Sequence, residues 1–233
     1  MALLHVNFYS RTLERETQMD VILPEAAKKL IGMEGVATRQ CKTLYLLHGM
    51  SDDQTVWQRR TSIERYAQKH NLAVIMPEVQ RSFYCDMTNG PRYFTYIVDE
   101  LPALCQRLFR VSARREDNFV AGLSMGGYGA MKAALSRPER YAAAASFSGA
   151  VDVAARLDSH PDIFQATCGG TLRAEDDLFR LAEKTAGERP RLYISCGTED
   201  FLLESIILLI MQQRSRINPQ NLRVLVGWPV FCF

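Results

Sequence analysis

Residues 118–136 read NFVAGLSMGGYGAMKAALS, and the setting of Ser124 in that stretch decides the fold. The run Asn118–Leu123 has the length of a buried strand, and Gly126–Ser136 has the small and apolar residues of a helix that can lie close to a sheet. Between them, Gly122-Leu-Ser-Met-Gly126 is the G-x-S-x-G pattern of a nucleophile elbow, a strand-to-helix turn so sharp that glycine is needed on either side of the serine. Five residues recur by chance, so the reading depends on what the remaining chain places around Ser124. The plainer account of Gly126, Gly127, Gly129 and Ala130 is close helix–sheet packing.

Outward from this stretch the chain alternates strand and helix. Leu3–Tyr9 and Gln18–Leu23 form an opening strand pair stopped by Pro24, and residues 28–40, KKLIGMEGVATRQ, read as a connection. KTLYLLHG (42–49) is a strand covered on both faces. A helix follows over Arg59–His70, with Ile63, Tyr66 and Ala67 at i, i+3, i+4 spacing, and then the buried strand NLAVIMPE, closed by Pro77. The rhythm continues with a helix over Tyr93–Phe109, the strand Asn118–Leu123, the helix Gly126–Ser136, and strands at Ala142–Phe147, Arg191–Ser195 and Leu222–Val226. This predicts an α/β fold with a mostly parallel central sheet and helices on both faces. With 47% hydrophobic residues and no linker or repeat, the 233 residues read as one domain. In such sheets the ligand site lies beyond the carboxyl ends of the strands. His48, Gly49 and Met50, then Ser124, CGTEDF (196–201) and GWPVFCF (227–233) all fall there.

Lysine plus arginine (28) nearly balances aspartate plus glutamate (26), which disfavours nucleic acid and anionic membranes as partners. The N-terminal MALLHVNFYSRTLERE lacks the layout of a secretory signal, so a cytoplasmic protein is expected. The six cysteines, Cys41, Cys85, Cys105, Cys168, Cys196 and Cys232, form no C-x-x-C pair and have no neighbouring histidines, which points to reduced, buried thiols and no metal. Phe201–Met211, interrupted by Glu204 and Ser205, is too short to span a bilayer.

A serine hydroxyl needs a base within hydrogen-bond reach, commonly a histidine oriented by a carboxylate. The N–H of Met125 at the start of the helix can stabilise an oxyanion, and the N–H of Met50 is the natural second donor. Asp200, past a strand end and after the serine in chain order, is the candidate acid, with Glu199 as its immediate rival.

The residues also carry a family resemblance. HVNFYSRTLERETQMDVILPE, LYLLHGMSDDQTVWQRRTSIERYA, VIMPE, ELPALCQRLF, NFVAGLSMGGYGAMKAAL, AAAASFSGA and LYISCGTEDFLLE resemble the esterase D-like group of α/β hydrolases, most closely the bacterial tributyrin-esterase type. The resemblance spans residues 1–204. It implies the α/β-hydrolase fold and a serine carboxylesterase acting on small short-chain acyl esters, without cofactor or metal. It further implies Ser124 as nucleophile, Asp200 as triad acid, the His48-Gly49-Met50 loop with Met125 as oxyanion hole, and residues 151–183 as an insertion walling the acyl pocket. An S-formylglutathione hydrolase, using the same machinery on a thioester, is the alternative within enzymes.

Residues 205–233 depart from this family, whose members carry the triad histidine after the final strand in a Gly-x-His-x-Trp-like segment followed by a closing helix. The four histidines here are His5, His48, His70 and His160, and none follows Asp200. No triad histidine is therefore found, and the C-terminal edge of the sheet is expected to be truncated or altered. Three accounts compete. A frameshift or early stop would leave a crippled esterase. His160, in the insertion, could lean over Ser124, whereas the resemblance implies that His48 is structural and positions the oxyanion loop. A non-catalytic binding protein could keep the pocket without the base. An uncovered last strand would expose apolar surface and leaves association into homo-oligomers open.

Overall fold

The strand runs read from the sequence assemble, in a computed structural model, into one eight-stranded sheet. The structure describes residues 1–25, 27–30, 33–35, 40–184, 189–214 and 222–227. In chain order, β1 (Ala2–Ser10) and β2 (Arg15–Leu23) precede a short ribbon, β3 (Ala27–Leu30) and β4 (Met33–Gly35), and then β5 (Lys42–Leu47). Helices α1 (Val56–Arg60) and α2 (Ile63–His70) lead to β6 (Leu72–Pro77), and α3 (Tyr93–Thr95), a π turn (Tyr96–Glu100) and α4 (Leu101–Leu108) lead to β7 (Asn118–Leu123). Then come α5 (Met125–Ser136), β8 (Ala143–Phe147), α6 (Pro161–Cys168), α7 (Leu178–Lys184), β9 (Arg191–Gly197), α8 (Leu203–Arg214) and β10 (Leu222–Gly227).

The strand order is β1-β2-β6-β5-β7-β8-β9-β10. The β1–β2 and β2–β6 pairs are antiparallel and all others parallel. From β5 the chain moves outward to β6, then returns past β5 to β7, so the order reverses at β5 and a crevice opens beyond the carboxyl ends of β5 and β7. Those ends carry His48–Met50 and Ser124.

The larger core cluster lies on one face under α4, α5, α7 and α8, and the smaller one, built on Trp57, Ala67, Val74 and Met76, lies under α1 and α2. On that second face Phe119, Ala143, Ala145 and Tyr193 line an open groove of about 420 Å³. No helix among the described residues is long and apolar enough to cross a membrane.

Local chemistry explains where the sequence reading needs correction. The connection read at 28–40 overlaps the β3–β4 ribbon, which begins at Ala27 and pairs antiparallel. The helix expected over Arg59–His70 is instead two, because Thr61 is extended (φ −141°, ψ 172°). Its hydroxyl donates to the Trp57 carbonyl and accepts the Ile63 N–H at 3.2 Å, serving the end of one helix and the start of the next. Of the residues at i, i+3, i+4 spacing, Ala67 is buried but Tyr66 is 55% exposed. Gln68 is buried instead and donates through Nε2 to the Glu25 carbonyl at 2.7 Å.

The helix expected over Tyr93–Phe109 contains the π turn, where the Leu101 N–H reaches back to the Tyr96 carbonyl. Pro102 has no N–H to offer Val98, and the Arg140 guanidinium donates to the Val98 carbonyl in its place. The altered tail expected over 205–233 continues the alternation as far as Gly227, with β10 in parallel register on β9. Residues 228–233 lie outside the described residues, as does Cys232.

Candidate active site

Ser124 stands between β7 and α5 at φ 54° and ψ −115°, a conformation that costs a non-glycine residue about 1–3 kcal/mol and persists only where its surroundings impose it. The surroundings here are backbone. A Cβ on Gly122 would lie 2.3 Å from the Gly126 carbonyl, and one on Gly126 would lie 2.3 Å from the Leu47 oxygen. The Ser124 N–H donates to Phe147 O at 3.0 Å, and its carbonyl accepts the N–H groups of Tyr128 and Ala150, each at 3.1 Å. The elbow is thus held by β5, β8 and its own helix, and the half-buried side chain stands at the crevice.

The glycines do not all serve the helix–sheet approach expected of them. Gly126 and Gly127 face β5 and the end of β8, but Gly129 faces the ring of Tyr84, which a Cβ would meet at 2.5 Å.

The loop after β5 is pinned through three successive carbonyls. Trp57 Nε1 donates to Leu47 O at 3.2 Å, the Tyr84 hydroxyl to His48 O at 3.0 Å, and His48 Nδ1 to Gly49 O at 2.8 Å. His48 Nε2 accepts the Val79 N–H at 3.2 Å. Both nitrogens of this buried ring are therefore engaged, and the second bond fixes the proton on Nδ1. The N–H groups of Met50 and Met125 have no hydrogen-bond partner among the described residues, and Met125 opens α5, where the helix leaves its first donors unpaired.

Asp200 follows the end of β9, in the turn leading to α8. Its Oδ1 accepts the Leu202 N–H at 2.9 Å, and its carbonyl accepts the Leu203 N–H at 3.0 Å. Glu199 is exposed, whereas Asp200 is half-buried beside the Cys196 thiol. Burial first, and then the Asp200 carboxylate, push that thiol up to about 11, so Cys196 stays protonated at neutral pH. Cys85, Cys105 and Cys168 are likewise buried and unbridged.

Leu123, Phe147 and Ser195 share one row across β7, β8 and β9, which places Ser124 and the Asp200 turn on the same edge. Thr198 N–H donates to Gly227 O at 2.9 Å, so β10 ends beside the Asp200 turn. Among the described residues no histidine ring bonds to Ser124 or Asp200. His160 precedes α6, with its carbonyl accepting the Phe164 N–H, and His5 bonds to Asp20 at 2.7 Å on β1.

Three residues around this site escaped the sequence reading: Tyr84, Lys132 and Asp176. Lys132 lies on α5 and is 1% exposed; its Nζ bonds to Asp176 Oδ1 at 2.5 Å and to Tyr84 O at 3.0 Å. Burial alone would raise the Asp176 carboxyl, but Lys132 and Arg173 outweigh it and hold that carboxyl below its ordinary value. The available signal was Lys132 itself, the one charge in the apolar run GGYGAMKAALS.

This strand order, with a serine held at positive φ on the turn into a helix, defines the α/β-hydrolase class. Residues 10–223 match the model of the "Putative esterase" family, and the chain belongs to that family, which makes it a carboxylic ester hydrolase by family. It is 28% identical over 221 residues to the acetyl esterase of Caldicellulosiruptor saccharolyticus, covering 88% of this chain and 83% of that protein. It superposes on FphF, a fluorophosphonate-binding serine hydrolase of Staphylococcus aureus, with a TM-score of 0.85 and 34% identity over 97% of this chain and 90% of that one. The S-formylglutathione hydrolase FrmB of the same organism gives 0.83 and 34%, over 97% and 91%.

Proposed function

We propose that this single-domain chain is built as a serine carboxylesterase for small, short-chain acyl esters of the esterase D-like, tributyrin-esterase type. Ser124 Oγ is the nucleophile that carries the acyl group, Met50 and Met125 N–H form the oxyanion hole, and Asp200 is the acid. Residues 151–183 wall the acyl pocket. The observation that carries this reading is the enforced elbow conformation of Ser124 directly before the unpaired Met125 N–H, at the strand edge where the β5 loop carries the unpaired Met50 N–H. Unbridged buried thiols fit a cytoplasmic setting.

The general base is the missing part. Within residues 1–233 no histidine follows Asp200, and both nitrogens of His48 are already engaged, so these residues by themselves support only weak hydrolysis. An oxyanion hole and binding alone leave an acceleration of roughly 10³–10⁴ over water. The test is p-nitrophenyl acetate turnover with fluorophosphonate labelling of Ser124, and Ser124→Ala should abolish the labelling and any turnover above that residual level. A folded protein that takes no label is a binding relative and not a hydrolase. The likeness to FrmB favours one second reading, thioester hydrolysis of S-formylglutathione, and comparing kcat/KM for the two substrates separates them.

A further inference from the structure

We infer that Tyr84 is a positioning residue for the oxyanion loop, braced from behind by the buried Lys132–Asp176 pair; this rests on the hydrolase reading of Ser124 and Met50. A peptide unit is planar, so whatever holds a carbonyl also aims the N–H of the next residue. The Tyr84 hydroxyl on His48 O therefore aims the Gly49 N–H, and His48 Nδ1 on Gly49 O aims the Met50 N–H. Tyr84 holds the plane from which the Met50 donor is set.

Tyr84 is itself held against a cost. It and its neighbour Phe83 both sit at φ 50°, with Gln80 at φ 54°, in the left-handed region that non-glycine residues avoid. The surroundings that impose this come from α5 and the insertion. Lys132 Nζ bonds to the Tyr84 carbonyl, Asp176 neutralises Lys132, and Gly129 leaves room for the Tyr84 ring. Arg173 Nε binds the other Asp176 oxygen at 2.6 Å, and the Tyr128 hydroxyl donates to the Asp176 carbonyl at 2.6 Å. Burial first, with the Glu78 carboxylate, keeps the Tyr84 phenol far above its ordinary value, so its proton remains available for donation. A continuous path thus runs from the insertion through α5, the helix that Ser124 opens, to the loop carrying the second oxyanion donor.

Tyr84→Phe deletes only the hydroxyl. Its p-nitrophenyl acetate kcat should fall about tenfold, less than the 10²–10³-fold of losing an oxyanion donor outright. KM should stay within about twofold, and in ¹H–¹⁵N spectra the Gly49 and Met50 amide signals should move. Tyr66→Phe, on the exposed face of α2, should change none of these. Should Tyr84→Phe not fold, Asp176→Asn keeps the hydroxyl, loosens the brace at the stability cost of an uncompensated Lys132, and in the folded fraction is expected to shift the same two amides by less. An unchanged kcat in Tyr84→Phe, or amides that stay in place, overturns the inference. Wild-type protein that neither turns over ester nor takes the label overturns the hydrolase reading instead, and the amide shifts alone then decide on the strut.

Discussion

Two twelve-residue helices leave the same edge of the sheet, α5 from Ser124 and α8 just beyond Asp200, and they are packed in opposite ways. In α5 every residue from Met125 to Leu135 is buried, including a lysine. In α8, Ile206, Leu209 and Ile210 are buried, while Ile207, Leu208 and Met211 on the other side are 42%, 51% and 65% exposed. Phe201, just before α8, is 79% exposed, with the Arg156 guanidinium over its ring at 5.2 Å. In α5 glycines and alanines alternate with Tyr128, two methionines and Leu135, and its single charge is neutralised, so neighbours can close around it. In α8 the stretch Ile206–Met211 is bulky and apolar around the helix, more so than the described residues cover, and a stripe of this kind is a liability for association. Burial therefore follows the fit of a helix to its neighbours as well as its hydrophobicity.

The contrast can be broken most severely at the elbow. Gly126→Ala places a methyl against the Leu47 carbonyl, backbone that cannot swing aside, and should cost upwards of about 3 kcal/mol or abolish soluble protein, read by urea denaturation. Next in size is the buried charge. Asp176→Asn leaves Lys132 uncompensated and should cost about 3 kcal/mol at pH 7. The folded-state pKa of Asp176 lies below its unfolded value, so its contribution is present above the unfolded pKa and lost as pH falls through the folded one. The stability gap between wild type and Asp176→Asn should accordingly close on acidification below the ordinary carboxylate range, as denaturation midpoints across pH would show.

Ser124→Gly should act in the opposite direction. It relieves the positive φ and stabilises by about 1 kcal/mol in thermal denaturation, while removing fluorophosphonate labelling. The smallest effect belongs to α8: Met211→Lys should leave stability within about 0.5 kcal/mol and reduce self-association in size-exclusion chromatography.

Much of this architecture was legible beforehand, for reasons particular to each element. Asn118–Leu123 and Lys42–Leu47 are buried on both faces, so their continuous apolar runs mark them as strands of a parallel sheet. Gly122 and Gly126 were readable because an elbow has a short-range steric requirement. What was not legible depends on contacts between distant residues. The break at Thr61 arises from a hydroxyl choosing the Trp57 carbonyl, and the π turn from an arginine 38 positions beyond Pro102 that takes up the Val98 carbonyl. Gly129 read as room for the sheet because nothing near it in the chain announces the ring of Tyr84, 45 positions away.

The residues alone determine the strand–helix alternation, the serine at its sharpest turn, the candidate acid after β9 and the lack of any histidine beyond it, because each is set by local pattern or by residue identity. Only the tertiary structure decides that His48 has both nitrogens engaged, that Lys132 is neutralised by a residue 44 positions away, and that the Tyr84 hydroxyl holds the His48 carbonyl. Those are bonds between side chains and carbonyls brought together by folding, and chain order does not encode which carbonyl a donor will meet.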